Sequence, residues 1–288
     1  MNSSAVSAAS AAPSRSALAI PPSVIGDFHL HSHHSDGRLD PSSLMDAVAE
    51  AGVRVAALTD HDTTAGHAQA AQRAQEHGVH FVPGIEMTTF AYGRVIHVLG
   101  LGVHADDEKL VLANRTATDV WDLNQRRWVE SLSAAIDVSF DRDFADHPVR
   151  LPVLIERLCK RGVENADPFK VHARFRAFFD GLPREAYDRL PTPGIAATIL
   201  RDAGGVALLA HPSALLEAGI LEELLHSVDG LEAMYLPYMD EQRQALRSVA
   251  LRSDKLYSCG SDYHGYFTTH YRPPLWEAPT PLLRKLGL

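Results

Sequence analysis

Short apolar runs of strand length alternate along the chain with segments whose apolar residues recur at helical spacing. Strands are therefore predicted at 24–31, 53–58, 80–82, 95–103, 206–210, 231–236 and 256–259. Helices are predicted between Asp40 and Gly52 and at about 64–77, 215–226 and 240–252, with Asp40-Pro41 as N-cap and first helical position. Alternation of strand and helix at this spacing predicts a parallel α/β architecture.

This alternation is interrupted between His104 and Pro191, where the sequence is polar and poor in strand patterns. Trp121, Trp128 and Leu132 recur there at helical spacing. We therefore predict that 105–191 forms a helical insert in an α/β domain made of 24–104 and 192–288. Residues 1–23, rich in Ser and Ala, lack the basic and apolar regions of a signal peptide and are predicted to be a disordered tail.

The composition narrows the class of protein. With 288 residues and 45 % hydrophobic content, the chain is long enough for one substantial core. A formal net charge of −9 disfavours a long nucleic acid partner, but a small phosphorylated substrate or a nucleic acid end stays open. Cys159 and Cys259 do not indicate a disulfide framework, which suits a cytoplasmic location. No apolar run reaches the roughly 20 residues of a membrane helix.

Polar side chains with metal-binding chemistry follow the predicted strands. In Asp27-Phe28-His29-Leu30-His31, alternate residues of an extended chain point to the same face, so His29 and His31 can reach one ion together. His61 follows the buried run 53–58, at the carboxyl end where α/β folds bind ligands. Its neighbours Asp60 and Asp62 are expected to orient imidazoles by accepting a ring N–H.

Further candidates come from the other strands and loops. Taken singly, each has an ordinary structural interpretation, such as a turn aspartate, a surface glutamate or a histidine on a sheet face. Chance would not deliver His, Asp or Glu to six separate strand ends, however. The full candidate set is His29, His31, Asp36, His61, Glu86, His97, His211, Asp262 and His264. This set exceeds the needs of one ion, contains no Cys, and favours manganese, with iron or zinc as alternatives.

In order and composition, these motifs resemble the PHP (polymerase and histidinol phosphatase) family of the amidohydrolase-like group. The resemblance covers 27–101 and 204–265. It implies a distorted (β/α)7 barrel with the insert capping the active site, and two to three metal ions. By the resemblance, His29, His31, Glu86 and Asp262 hold one ion; Glu86, His97 and His211 hold a second; and Asp36, His61 and His264 hold a third.

Within this family, the runs Thr59-Asp60-His61-Asp62-Thr63 and His97-Val98-Leu99-Gly100 resemble a narrower branch. Its members are nucleoside 3′,5′-bisphosphate phosphatases, some of which are also 5′-to-3′ exonucleases on short RNA. That branch usually carries a Gly-Arg-Pro-His-like element in the insert, and this sequence lacks it. The nearest stretch, 171–176, makes His172, Arg174 and Arg176 the candidates for substrate binding.

The predicted activity is metal-dependent hydrolysis of a phosphate monoester of a small nucleotide-like substrate. A water between two ions that share Glu86, roughly 3.5–4 Å apart, would lose a proton near neutral pH and attack phosphorus. Asp262 or His211 would protonate the leaving oxygen. The alternatives are a cyclic phosphodiesterase, a histidinol-phosphate phosphatase, and a metal-binding regulatory module without activity. No membrane association or obligate protein partner is expected.

Overall fold

Seven strands form a single sheet in sequence order, β1-β2-β3-β4-β5-β6-β7. The computed structural model describes residues 23–136, 151–265, 271–272 and 276–288, so most of the predicted tail lies outside the described residues. The strands are β1 (Gly26–Asp27), β2 (Val55–Leu58), β3 (His80–Ala91), β4 (Arg94–Leu101), β5 (Val206–Leu209), β6 (Gly230–Tyr235) and β7 (Leu256–Gly260). The backbone N–H of Phe28 donates to Cys259 O at 3.0 Å, which brings the last strand beside the first. The predicted barrel is thereby confirmed as a nearly closed, barrel-like sheet.

The prediction of a parallel sheet is wrong for one strand, because β4 runs antiparallel to both β3 and β5. A two-residue turn at Tyr92 and Gly93 joins β3 to β4, with φ of 53° and 70°. Positive φ at both turn residues matches the right-handed twist of the flanking strands. The predicted strand at 80–82 also proves to be 12 residues long. Pro83 and Gly84 usually end strands, which is why the pattern indicated an early end.

Successive side chains of a strand point to opposite faces of the sheet, so the apolar core lies on both sides of it. Val55 and Ala57 of β2 belong to a central apolar cluster, whereas Ala56 and Leu58 belong to a cluster with two helices. Those helices are α1 (Pro41–Glu50) and α2 (His67–Glu76). Leu99 and Leu101 of β4 join the same central cluster. Apolar side chains thus occupy the interior of the barrel and also the space between the sheet and its helices.

The remaining helices of the α/β domain are α6 (Pro193–Asp202), α7 (Ser213–Glu217), α8 (Leu221–Leu225), α9 (Asp240–Arg252) and α10 (Thr280–Lys285). The single helix predicted at 215–226 is divided into α7 and α8. Gly219 lies between them with φ of 71°, a left-handed conformation that ends a helix. At α1 the predicted cap is present, since the Asp40 carboxylate accepts from the backbone N–H groups of Ser42 and Ser43.

Between the two parts of the barrel, the chain is helical. It forms α3 (Glu108–Ile136), α4 (Leu151–Lys160) and α5 (Pro168–Asp180), with short 3₁₀ turns between α4 and α6. These helices share an apolar cluster around Trp128, Leu158 and Phe175. Among the described helices, none combines the length and the apolarity needed to cross a membrane.

Replacing Trp128 by Ala should lower the free energy of unfolding by about 3–5 kcal/mol. Trp128 is 2 % exposed and its ring packs edge-on against Phe175 at 4.9 Å, so the substitution opens a large cavity. Urea denaturation measures the effect. Leu123→Ala, on the exposed side of the same helix, is the matched control and should change stability by less than about 0.5 kcal/mol. Equal stability of the two variants would contradict the role of Trp128 in this core.

Candidate metal centre

All nine sequence-predicted ligands lie around one cluster, with Glu86 and His97 inside β3 and β4 and the others in the segments that follow strands. Three groups bring ligand atoms within 4.8 Å of one another: His29, His31, Glu86 and Asp262; His61, Glu86 and His97; and His31, Asp36, His61 and His264. The first group is the set that the sequence predicts for one ion. The third is the predicted set with His31 added. In the second, His61 takes the place predicted for His211.

Glu86 is the centre of the arrangement. Its carboxylate is 1 % exposed and lies in β3. Oε2 is 3.1 Å from His29 Nε2, 3.2 Å from His31 Nε2 and 3.3 Å from His61 Nδ1. Oε1 is 3.2 Å from His97 Nδ1 and 3.1 Å from His211 Nε2. One carboxylate therefore faces five imidazoles that lie in β4 or follow β1, β2 and β5.

The spacing of these atoms fits divalent ions. Two ligand atoms bound at about 2.1 Å and at a right angle are about 3.0 Å apart. His31 Nε2 lies 3.0 Å from Asp262 Oδ1, and His29 Nε2 lies 3.3 Å from the same oxygen. Both His31 Nε2 and Asp262 Oδ1 are buried without a hydrogen-bond partner, as is His61 Nδ1. Buried polar atoms normally have partners, so these convergent atoms indicate a cation.

The charge state of the site supports this interpretation. Burial lowers the pKa of His61 to about 4, despite the nearby carboxylates of Glu86 and Asp36. Its ring is then neutral at pH 7, which is the form that binds metal. His31 differs from His61, because despite burial its neighbours Asp262 and Glu86 raise its pKa to about 10, so an ion bound there would displace a proton. Burial opposes ionisation of Glu86, but the surrounding imidazoles, His61 and His29 first, outweigh it and lower the pKa of Glu86 well below its usual range. A neutral imidazole beside an ionised carboxylate is a suitable ligand pair for manganese, iron or zinc.

The sequence suggested that Asp60 and Asp62 orient imidazoles, but the hydrogen bonds they accept from the described residues come from backbone N–H groups and hydroxyls. Asp60 accepts from Ser32 N at 2.7 Å and from the Ser35 hydroxyl at 2.6 Å, which anchors the loop that carries Asp36. The Asp62 carboxylate accepts from the backbone N–H and the hydroxyl of Thr88 in β3. Both carboxylates therefore connect ligand-bearing segments to each other.

Three residues at the site have left-handed backbone although none is glycine. They are Asp62 (φ 51°), His211 (φ 29°) and Asp262 (φ 52°), each just after a strand. Such conformations are strained and persist only when the surroundings fix them. Asp262 N donates to His29 O at 2.9 Å, and the Asp262 carboxylate accepts from the Tyr235 hydroxyl at 2.7 Å.

Sequence reasoning missed Glu232 and Tyr235 in β6, which contact the predicted ligands. It also missed Tyr271, whose hydroxyl donates to the buried carboxylate of Asp27 at 2.6 Å. A signal was present for Glu232, since a charged residue follows Gly230-Leu231 inside an otherwise apolar strand. No comparable signal pointed to Tyr235.

The substrate-binding candidates of the insert differ in their surroundings. The Arg174 guanidinium pairs with Glu164 at 2.6 Å. Arg176 is exposed. Burial lowers the pKa of His172, and the positive charges on Arg176 and His264 lower it further. The ring of His172 is therefore within electrostatic reach of the ligand group at His264.

Comparisons with known proteins also indicate a phosphoesterase. The sequence profile of the PHP domain matches residues 27–144. The 3′,5′-nucleoside bisphosphate phosphatase of Chromobacterium violaceum is 29 % identical over 251 residues, covering 83 % of this chain and 86 % of the relative. The 5′-3′ exoribonuclease of Haemophilus influenzae is 28 % identical, covering 83 % of this chain and 89 % of the relative.

Two further matches extend over most of the chain. The phosphoribosyl 1,2-cyclic phosphate 1,2-diphosphodiesterase of Eggerthella lenta is 27 % identical, covering 85 % of this chain and 95 % of the relative. The solved structure of an amidohydrolase from Chromobacterium violaceum, with bound sulfate and no metal, superposes with a TM-score of 0.74 at 25 % identity. It covers 91 % of this chain and 95 % of that one.

The barrel and its cluster of His, Asp and Glu side chains define a metal-dependent phosphoesterase. Residues 27–144 match the PHP domain, and relatives that resemble the chain over more than four-fifths of its length are named as phosphatase, exoribonuclease and cyclic phosphate diphosphodiesterase.

Proposed function

We propose that this chain hydrolyses a phosphate monoester of a small nucleotide-like substrate, either a nucleoside 3′,5′-bisphosphate or the 5′ end of a short oligonucleotide. The observation that carries the proposal is the placement of Glu86 among five imidazoles, with Asp36, Asp262 and His264 completing the ligand groups. The names of the Chromobacterium and Haemophilus relatives support the substrate class. A net charge of −9 also favours a small substrate over a long nucleic acid.

Glu86 would bridge two ions, one shared with His29, His31 and Asp262 and the other with His97 and His211. Asp36, His61 and His264 would hold a third. Divalent ions bound there would withdraw charge from the phosphoryl oxygens and make water a stronger acid. Burial of Glu86 and of the rings of His29 and His31 excludes bulk water from the floor of the pocket.

Asp262 or His211 would protonate the leaving oxygen. Burial opposes ionisation of Asp262, but the charges on His29 and His264 outweigh it and lower its pKa well below the usual range. Burial also lowers the pKa of His211, but the hydrogen bond to Glu86 outweighs it and the net pKa is raised.

A substrate panel on manganese-loaded protein, with metal counted per chain, tests the proposal. The panel contains a nucleoside 3′,5′-bisphosphate, a short 5′-phosphorylated RNA, a cyclic phosphate ester and histidinol phosphate. Fastest turnover of either of the first two is the expected result. Preference for the cyclic ester would favour the activity named for the Eggerthella relative. Absence of hydrolysis by fully loaded protein would contradict the proposal and favour a regulatory module.

Replacing His172 by Ala should raise KM roughly 3- to 10-fold, the value of one neutral hydrogen bond to a phosphate oxygen. Arg174→Ala is the matched control on the same helix. Its guanidinium is held by Glu164 at the surface, so KM should change less than about twofold. Steady-state kinetics on the preferred substrate measures both. An unchanged KM in the His172 variant would remove this residue from the substrate site.

A further inference from the structure

Glu232 is a fully buried carboxylate in β6 to which the proposed chemistry assigns no role. Its Oε1 lies 3.0 Å from His29 Nδ1, and its Oε2 accepts from the backbone N–H of His211 at 2.9 Å. Among the described residues, no lysine or arginine forms an ion pair with it. A buried carboxylate carries a desolvation penalty of several kcal/mol, so its two contacts require an explanation.

The contact with His29 determines which ring nitrogen carries the proton. A neutral imidazole has one N–H donor and one lone pair. Nδ1 faces the Glu232 carboxylate, whereas Nε2 faces the carboxylates of the ligand group, so once an ion takes the lone pair of Nε2 the single proton belongs on Nδ1, where Glu232 accepts it. The lone pair on Nε2 then points toward Glu86 Oε2 and Asp262 Oδ1, at 3.1 and 3.3 Å.

The contact with His211 fixes a strained backbone. His211 has φ of 29°, and its N–H is held by Glu232 in this conformation. The ring consequently reaches Glu86 with Nε2 at 3.1 Å. The Glu232 carboxylate thus contacts two residues that are far apart in sequence. The ring of His29 faces Oε2 of Glu86, and the ring of His211 faces Oε1.

A bulge in β6 places this carboxylate. The register with β7 shifts between Glu232 and Met234, so Glu232 and Tyr235 come to the same face, although strict alternation would separate them. Gly260 of β7 leaves the space free, because a Cβ there would meet Glu232 Oε1 at 2.5 Å.

We infer that Glu232 is a positioning residue that keeps the His29 proton on Nδ1 and holds the backbone of His211, so that both rings present Nε2 to the ions. The inference rests on the proposed function only for the presence of ions at Glu86. Partners of this kind typically contribute 10- to 100-fold to metal affinity.

The test compares Glu232→Gln with Glu217→Gln, an exposed glutamate that accepts from the Ser213 hydroxyl. A glutamine at position 232 would have one acceptor oxygen for two donors, the Nδ1–H of His29 and the backbone N–H of His211. Its NH₂ group would therefore face one of these two donors. Calorimetric titration of metal-free protein with manganese should show roughly 10- to 100-fold weaker binding for E232Q. For E217Q the affinity should stay within twofold. Glu232→Asp, which is too short to reach both donors, should weaken binding in the same direction.

A second measurement reads the position of the proton in the wild-type protein itself. Long-range ¹H–¹⁵N spectra of zinc-loaded wild-type protein should show His29 protonated at Nδ1, with the signal assigned by its loss in His29→Gln. In E232Q that preference should weaken. A proton on Nε2 in the wild type, or wild-type metal affinity in folded E232Q, would overturn the inference. Absence of phosphatase activity alongside the expected affinities and spectra would instead reject the proposed function alone.

Discussion

Replacing Glu86 by Gln is expected to reduce bound metal and turnover together. Glutamine preserves the shape of the side chain but removes the charge and one of the two acceptor oxygens. Its NH₂ group would face imidazole nitrogens at about the 3.1–3.3 Å separations now occupied by the carboxylate oxygens. We expect loss of at least one ion per chain and a fall in kcat of roughly 10²–10³-fold or more, the range found when one charge-stabilising group is removed.

Metal analysis by mass spectrometry and steady-state kinetics on the same preparation measure both quantities. Glu217→Gln, the same chemical change at an exposed position, should leave both unaffected. Full turnover with full metal content in the Glu86 variant would exclude the bridging role.

Removing the metal should destabilise the whole domain. Without cations, Glu86 and the imidazoles of His29 and His31 remain buried close to one another, with Asp262 partly buried beside them. An ion present at 100 times its Kd stabilises the folded state by about 2.7 kcal/mol. For a chain of this size each kcal/mol shifts Tm by roughly 2–4 °C, so chelation should lower Tm by about 5–10 °C for a single site.

Calorimetry before chelation, after it, and after manganese is restored measures the effect and its reversal. The Glu86→Gln variant is an internal control, because it should already melt at a lower temperature and respond less to the chelator. A wild-type Tm that stays within about 1 °C while metal analysis shows complete removal would mean that the ions do not contribute to stability.

The ligand set could be predicted because strand ends meet at one edge of a sheet. His29, His61 and His211 are far apart in sequence, yet each lies in a predicted strand or close behind one. A local pattern therefore predicted a long-range convergence, and the structure brings the predicted residues together. Their role as ligands remains a prediction that metal analysis can test.

Other features of the site depend on information that local patterns do not contain. The bulge at 233 reverses the face of Tyr235, and only the register between β6 and β7 reveals it. The direction of β4 depends on a two-residue turn at Tyr92 that lacks the usual Asn-Gly or Asp-Gly signal. Whether His172 or Arg174 faces the site depends on how the insert helices pack, which their helical periodicity does not specify.

The short first strand has a consequence for how the protein is made. Asp27 is held by Ser261 and Tyr271, and Val24 O accepts from Ala278 N at 2.7 Å. A ribosome therefore releases His29 and His31 long before the segments that clamp them exist. The predicted ligand set that begins at His29 is complete only once His264 has been synthesised, so we expect metal loading to follow translation of the segment that carries Asp262 and His264.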